Sequence, residues 1–241
     1  MATYFLTGQS GGIGRAISQK LMDNRSSGDF IICPSRSVAE DDHRGIDMSS
    51  KNSIDLFFAK HMTDEDLGET VDVLINNAGI NHLMWLKDLD YDIMDKIFKV
   101  NVLGYLYLIK KCLERNVKRI INIGSVAGRV PMTCSSIYCC SKSAVDMITR
   151  QAARELAIRG IAVYGVDPGR VSGTKMGDMV DPQVAKLRGW TIEQVKEYQM
   201  QSIPGKRFVT PQEVADVVYW LATEAPISMT GSILIVGEGV C

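Results

Sequence analysis

The sequence lacks an excess of charge of either sign, and it lacks long apolar runs. Its 241 residues include 27 basic and 28 acidic side chains, so the formal net charge is only −1. Surfaces that bind nucleic acid or anionic membranes usually carry a basic excess, so this balance argues against both as main partners. No stretch of about 18 apolar residues occurs, which excludes a membrane-spanning helix from the sequence pattern.

Cysteine and histidine are scarce and scattered. Six cysteines are too few for a disulfide scaffold in a chain of this length, no CxxC pair occurs, and the three histidines match no metal spacing. The N-terminal residues carry neither the basic segment nor the apolar run of a secretory signal. We therefore expect no metal site, and we expect a cytoplasmic protein with reduced thiols.

The sequence does contain a regular alternation of short apolar runs with amphipathic stretches. Hydrophobic residues make up 46% and charged residues 23%, which are ordinary values for globular proteins. Apolar strands that alternate with helices predict a doubly wound α/β sheet covered on both faces. The predicted strands are residues 2–6, 30–33, 71–75, 119–123, 161–166 and 232–236, and the predicted helices are residues 13–24, 89–115, 137–159 and 212–223.

Residues 176–208 interrupt this alternation with two short helical patterns and no strand. An insertion late in such a sheet commonly covers a pocket. We expect a small helical lid or pocket wall here. The alternative is a surface segment that packs against the fold and does not contribute to a pocket.

The segment from Thr7 to Gly14 follows the first predicted strand and opens the first predicted helix. Its glycines permit a tight turn and let backbone amides approach a pyrophosphate, to which the helix N-terminus adds partial positive charge. Arg15 follows Gly14 where a P-loop requires lysine, so a P-loop is excluded. The segment predicts a dinucleotide site, and a glycine-rich turn without a ligand is the alternative.

A series of motifs in order resembles the short-chain dehydrogenase/reductase family over nearly the whole chain. They are the TGxxxGxG turn at residues 7–14, Asp47-Met48, the NNAG segment at 76–79, Asn101, Ser125, the YxxxK pair Tyr138 and Lys142, Asp167-Pro168-Gly169, and the closing stretch at 229–239. The resemblance implies one Rossmann-type domain over residues 1–241, with a seven-stranded parallel sheet flanked by helices and a lid near 176–208.

The resemblance also implies a set of residues that contact a nicotinamide dinucleotide. They are Gly8, Ser10, Gly12, Ile13, Gly14, Ser35, Arg36, Asp47, Met48, Asn77, Ala78, Gly79, Tyr138, Lys142, Pro168, Gly169, Val171 and Thr174. Two departures from the family pattern are visible. The link from residue 36 to residue 47 is shorter than the usual helix, and Gly173 stands where the family commonly has threonine.

The end of the second predicted strand indicates which nicotinamide is preferred. A carboxylate there pairs with the ribose hydroxyls of NAD, whereas an arginine accommodates the 2′-phosphate of NADP. The segment from Cys33 to Arg36 has no acidic residue and ends in the arginine. We predict a preference for NADP(H), with NAD(H) as the alternative cofactor.

The predicted catalytic residues are Asn101, Ser125, Tyr138 and Lys142. Tyr138 and Lys142 are spaced to share one helix face, where a lysine ammonium favours the phenolate and lowers the tyrosine pKa. Tyr138 is therefore the predicted acid/base, and Lys142 is the residue predicted to lower its pKa. Ser125 is expected to donate a hydrogen bond to the substrate oxygen, and the resemblance implies that Asn101 holds a water that relays protons.

Apolar and aromatic residues surround the expected pocket, which suits a small ketone, aldehyde or alcohol. They are residues 81–85, residues 131–134, Met176, Met179, Trp190 and Tyr198. One alternative is a 3-oxoacyl-(acyl-carrier-protein) reductase, for which Arg129, Arg170 and Lys175 are the candidate docking residues. The other alternative is a non-catalytic dinucleotide-sensing protein, which would not need all the predicted catalytic side chains.

The predicted helices at residues 89–115 and 137–159 are apolar around much of their circumference. One face is expected to cover the sheet and the other a partner subunit. The family resemblance implies a homotetramer, with a homodimer as the alternative.

Overall fold

The computed structural model describes residues 1–34, 45–63 and 70–240. Within them, six parallel strands form one sheet in the order β2-β1-β3-β4-β5-β6. The strands are β1 (Thr3–Leu6), β2 (Phe30–Ile32), β3 (Val73–Asn76), β4 (Arg119–Ile123), β5 (Ala162–Pro168) and β6 (Ile233–Val236). The predicted doubly wound α/β fold is confirmed.

The described residues contain one strand fewer than the seven that were expected. Residues 45–47 pair with no strand, although Ile46 is buried. The sheet ends at β2, which has only three residues and offers few backbone groups to a further strand. Residues 35–44, which connect β2 to this segment, lie outside the described residues.

Helices cover both faces of the sheet. They are α1 (Gly12–Asp23), α2 (Lys51–His61), α3 (Tyr91–Phe98), α4 (Gly104–Leu113), α5 (Ser136–Leu156), α6 (Lys175–Arg188), α7 (Ile192–Gln201) and α8 (Pro211–Thr223). No helix of the described segments is long and apolar enough to cross a membrane.

Alternate strand residues supply two separate cores. Successive side chains of a strand point to opposite faces of a sheet. Phe5, Leu74, Ile120 and Val163 pack on the face that α2, α4 and α5 cover. Their neighbours Leu6, Ile75, Ile121 and Tyr164 pack on the face that α1 and α8 cover. Because both faces are covered, the central strands are apolar at most positions, as the sequence pattern indicated.

The long helix expected over residues 89–115 is interrupted. Helix α3 ends at Phe98, a π-helical segment runs from Lys99 to Leu103, and α4 begins at Gly104. Such segments inside α-helices occur frequently at functional sites. The interruption places the buried Asn101 at the edge of the sheet where the predicted site residues lie.

A chain of buried hydrogen bonds crosses the sheet and reaches α5. The Asn76 side-chain amide donates to Asn122 at 2.9 Å, and the Asn122 amide donates to the Thr149 hydroxyl at 3.0 Å. All three side chains are inaccessible to solvent. Since buried polar groups are costly without partners, this chain fixes β3, β4 and α5 relative to one another.

We expect Asn122→Ala to lower the free energy of unfolding by about 1–3 kcal/mol, because the Asn76 amide then loses its buried acceptor. Urea denaturation followed by circular dichroism measures the loss. The matched control is Asn52→Ala on the exposed side of α2, which should change stability by less than about 0.5 kcal/mol. Equal losses in the two variants would contradict a structural role for the buried chain.

Candidate active site

Most of the predicted site residues gather at the carboxyl ends of the central strands. Parallel strands place their carboxyl ends along one edge of the sheet, and ligands bind there in open α/β folds. The turns after β1, β3, β4 and β5 meet at this edge. Hydrogen bonds and close backbone approaches join them into one surface.

At two positions of the first turn, the neighbouring backbone leaves room only for glycine. Gly8 has a φ of +73°, and a β-carbon added there would lie 2.8 Å from the α-carbon of Ala78. A β-carbon on Gly14 would lie 2.2 Å from the carbonyl oxygen of Gly8. The turn therefore folds back tightly onto the start of α1 and onto the NNAG segment.

Helix α1 begins at this turn without a side-chain cap. Its N-cap residue is Gly11, which has no side chain to accept a hydrogen bond, and its first turn contains no acidic residue. Free amides at a helix N-terminus bind anionic groups such as a pyrophosphate. The bare glycine backbone and this helix start fit the phosphates of a dinucleotide.

The NNAG segment is bonded directly to the glycine turn. The Thr7 hydroxyl accepts from the backbone amides of Asn77 and Ala78, both at 3.0 Å. The Asn77 side chain donates back to the carbonyl oxygens of Thr7 and Gly8 at 2.9 and 3.1 Å. Residues that the sequence places in two separate motifs thus form one rigid unit.

Asn101 joins the chain after the NNAG segment to α5. Its side-chain oxygen accepts from the Ile80 amide at 2.9 Å. Its side-chain nitrogen donates to the Ile80 carbonyl at 2.9 Å and to the Ser141 hydroxyl at 3.0 Å. Both N–H groups of the side-chain amide are used as donors. This side chain therefore fixes the position of the loop that follows the NNAG segment. The expected role in proton relay stays a prediction.

Lys142 is buried at the end of β4. Its ammonium donates to the carbonyl oxygen of Ile123 at 2.8 Å and lies 5.8 Å from the centroid of the Tyr138 ring. Burial lowers the pKa of Lys142 to about 8, although the charges of Asp167 and Asp146 oppose that shift. The lysine is therefore only partly charged in the mildly alkaline range.

Tyr138 and Ser125 are hydrogen-bonded to each other, and the predicted lowering of the Tyr138 pKa was wrong. Burial raises the pKa of Tyr138 to about 12, and a hydrogen bond with Ser125 only partly offsets it. Loss of solvation outweighs the lysine because the ammonium is bonded to Ile123 rather than to the phenol. Tyr138 keeps its proton throughout the neutral range.

The remaining predicted cofactor residues divide into two groups. Ser10, Ile13, Gly79, Pro168, Gly169 and Thr174 lie on the turns at or beside the carboxyl edge, where Thr174 contacts Gly12 and Gly169 approaches Gly237. By contrast, Met48 and Val171 are buried in the two cores, and the Asp47 carboxylate accepts from the amide and hydroxyl of Ser49. Ser35 and Arg36 lie outside the described residues.

Two of the three expected docking residues are engaged in buried ion pairs. Arg129 contacts Asp167 at 2.7 Å, and Arg170 contacts both carboxylate oxygens of Asp181 at 2.7 Å. Lys175 is exposed. The spacing of charges along the sequence contains no signal for these pairs, since each joins different elements of the fold.

Helices α6 and α7 lie within the segment expected to form the lid. The side chain of Gln183 on α6 accepts from the amide of Leu83 at 3.2 Å, and the Met84 amide donates to the carbonyl of Cys134. The predicted pocket segments 81–85 and 131–134 are therefore in contact with each other, and α6 touches the first. No group of three or more potential ligands in the described ranges could hold a metal ion.

Comparisons with known proteins agree with this geometry. The profile of the family described as short chain dehydrogenase matches residues 2–185. L-2,3-butanediol dehydrogenase of Corynebacterium glutamicum is 33% identical and aligns with 98% of this chain and 96% of its own. The 3-oxoacyl-[acyl-carrier-protein] reductase FabG of Haemophilus influenzae is 32% identical over 98% and 96% of the two chains.

A solved structure extends the similarity to the fold. Actinorhodin polyketide ketoreductase with NADPH superposes with a TM-score of 0.87 at 27% identity, over 99% of this chain and 97% of that one. The full-length matches and the profile agree with the order of the strands and the convergence of the turns. The chain therefore belongs to the short-chain dehydrogenase/reductase family of NAD(P)-dependent oxidoreductases.

Proposed function

We propose that this protein is an NADP(H)-dependent oxidoreductase that interconverts a small ketone or aldehyde and an alcohol. The observation that carries the proposal is the meeting of Tyr138, Ser125 and Lys142 beside the joined glycine and NNAG turns. A reduced nicotinamide, when bound, supplies the hydride. The protein then has to orient the carbonyl and supply one proton to its oxygen.

Tyr138 is the proposed proton donor. Because burial raises its pKa to about 12, Tyr138 holds a proton at neutral pH that it can donate to the carbonyl oxygen. The Ser125 hydroxyl stabilises the negative charge that develops on the substrate oxygen. A charged Lys142 favours the phenolate that is left after proton transfer, and the same residue is proposed to hold the nicotinamide ribose.

The preference for NADP(H) rests on the sequence after β2. Strand β2 ends at Ile32 and is followed by Cys33-Pro34-Ser35-Arg36, with no carboxylate to pair with ribose hydroxyls. A guanidinium binds a phosphate through charge-assisted, bidentate hydrogen bonds. Arg36 is therefore the proposed partner of the adenosine 2′-phosphate.

Small free substrates are favoured over acyl-carrier substrates. Docking of an acidic carrier needs exposed basic residues, and Arg129 and Arg170 are already paired with buried carboxylates. Only Lys175 of the expected set remains exposed. The name of the butanediol dehydrogenase relative indicates that a small substrate is compatible with this scaffold.

We further propose that the protein forms a homotetramer, or a homodimer, through α4 and α5. Leu106 and Met147 are 46% and 59% exposed on these helices, and they line an apolar groove of about 490 Å³ together with Leu113 and Ile148. A second copy covering this face is the proposed occupant. A cytoplasmic location is part of the same proposal and rests on the scattered cysteines of the sequence.

The proposed reaction predicts NADPH oxidation with at least one class in a panel of diketones, keto esters, sugars and acyl thioesters. Tyr138→Phe should lower kcat by about 10²–10⁴-fold, because the proton donor is lost. Tyr91→Phe, at an exposed tyrosine of α3, is the matched control.

The panel also separates the alternatives. If only carrier-bound acyl thioesters are turned over, the protein is a 3-oxoacyl-(acyl-carrier-protein) reductase and the proposed substrate class is wrong. Tight NADPH binding with no turnover of any compound would support the non-catalytic sensor.

Arg36→Asp tests the cofactor preference. We expect the KM for NADPH to rise by about 10–100-fold, which corresponds to the loss of a charge-assisted hydrogen bond, while the KM for NADH changes little. Steady-state kinetics with both cofactors measure this, and Arg25→Asp, at an exposed position after α1, is the control. A clear preference of the unsubstituted enzyme for NADH would defeat the prediction.

Met147→Glu should reduce the oligomeric mass, because a carboxylate would be buried without a partner against the apolar face of a second copy. Light scattering coupled to size exclusion measures the mass. Leu56→Glu, at an exposed leucine of α2, should leave it unchanged. A stable monomer for the unsubstituted chain would contradict the proposed interface.

A further inference from the structure

Two buried carboxylates converge on the glycine that precedes Ser125. A β-carbon added to Gly124 would lie 2.0 Å from the Oδ1 atom of Asp167 and 3.3 Å from the Oδ1 atom of Asp146. Asp167 is fully buried and Asp146 is 7% exposed. The missing side chain of Gly124 thus leaves the space that Oδ1 of Asp167 occupies, with Oδ1 of Asp146 beside it, one residue before Ser125.

One guanidinium faces both carboxylates. The Nε atom of Arg129 donates to Oδ2 of Asp167 at 2.7 Å, and its Nη2 atom lies 3.6 Å from Oδ2 of Asp146. The Oδ1 atom of Asp167 is buried and receives no hydrogen bond from any described residue. A single positive group therefore faces the Oδ2 atoms of both carboxylates, while Oδ1 of Asp167 is left without a donor among the described residues.

A proton on Asp146 would supply the missing donor. Two ionised carboxylates this close in a buried site repel each other, so one of them retains a proton more tightly than usual. Asp167 has the shorter contact with Arg129, which leaves Asp146 as the protonated member. Burial, followed by the charge of Asp167, raises the pKa of Asp146 to about 6, against the opposing charges of Arg129 and Arg150.

The pair lies next to the proposed catalytic groups. Asp146 is one helical turn after Lys142 on α5, and the Lys142 ammonium is bonded to Ile123, the neighbour of Gly124. The negative charges of Asp167 and Asp146 both raise the pKa of Lys142, and that of Asp167 also raises the pKa of Tyr138. The groups that face the pair are thus Arg129, Arg150, Lys142 and Tyr138.

We propose that Asp146 and Asp167 form a hydrogen-bonded acid–carboxylate pair that shares one proton at mildly acidic pH, and that after loss of this proton they act as positioning residues which keep Lys142 charged. In the protonated pair the Asp146 hydroxyl donates to Oδ1 of Asp167, and Arg129 neutralises the single remaining charge. Loss of the shared proton adds a second negative charge, which acts on Lys142. The effect on turnover rests on the proposed oxidoreductase function, whereas the shared proton does not. Each half therefore has its own test.

Infrared difference spectroscopy of the whole protein between pH 5 and pH 8 tests the shared proton. We expect a protonated-carboxyl band that disappears with a midpoint near pH 6 and is absent from Asp146→Asn, whose amide can still donate to Asp167. Asp95→Asn, at a carboxylate about half exposed on α3, should leave the band unchanged. A band that persists in Asp146→Asn, or that never forms above pH 5, overturns the pair.

Thermal unfolding gives a second readout that does not require activity. The pKa of Asp146 is raised in the folded state, so its stabilising contribution is present at low pH and is lost as pH rises through about 6. The asparagine of Asp146→Asn cannot ionise. The Tm of this variant should therefore rise relative to that of the unsubstituted protein as the pH increases from 5 to 7.5. A constant Tm difference over this range argues against the raised proton affinity and overturns the pair.

The pH profile of kcat/KM for carbonyl reduction tests the action on Lys142. Asp146→Asn and Asp167→Asn each remove a negative charge, so the loss of activity on the alkaline side should move to lower pH by about one unit. If Asp167→Asn fails to fold, the pH profile of Asp146→Asn alone tests the action on Lys142. A profile that superimposes on that of the unsubstituted enzyme overturns the action on Lys142. Absence of turnover with every carbonyl tested overturns the proposed function instead, and leaves the spectroscopic outcome standing.

Discussion

Burial of polar groups at the carboxyl edge of the sheet is the constraint on which the site depends. Asn76, Asn101, Lys142 and Asp167 are all almost inaccessible to solvent, and each must find partners within the protein. Those partners lie on different strands, helices and loops. Satisfying the buried groups therefore also fixes the distances between the turns, and the catalytic geometry follows from that requirement.

Desolvation and local charge act against each other around Tyr138. Burial lowers the pKa of Lys142 and raises that of Tyr138, so solvent exclusion alone would leave a neutral lysine beside a neutral tyrosine. The negative charges behind them partly restore the lysine charge. A buried lysine whose pKa is close to the ambient pH changes its charge when the local electrostatic field changes slightly. An exposed lysine with its ordinary pKa stays fully charged at neutral pH, so small changes in the field do not alter its charge.

The sequence was sufficient for the fold class and for the family, because alternation and motif spacing are local signals. It was insufficient wherever a property depends on groups distant along the chain. Arg129 looked like a docking residue, but its partner Asp167 lies at the end of another strand. The sign of the Tyr138 shift was missed because it depends on burial and on the contact between Lys142 and Ile123, which spacing does not encode. The π-helical segment around Asn101 left no mark in the apolar periodicity.

The cofactor turn and the expected lid share a structural boundary. A β-carbon on Gly12 would lie 2.8 Å from the Thr174 methyl group, and the Thr174 hydroxyl accepts from the Gly177 amide to cap α6. Farther along, Asp181 binds Arg170 and also accepts from the Gln199 side chain of α7 at 3.1 Å. Helices α6 and α7 are thus tied to each other and to the strand end that carries Pro168 and Gly169. Because the start of α6 packs on the glycine turn, a displacement of that turn must be accommodated at the start of α6.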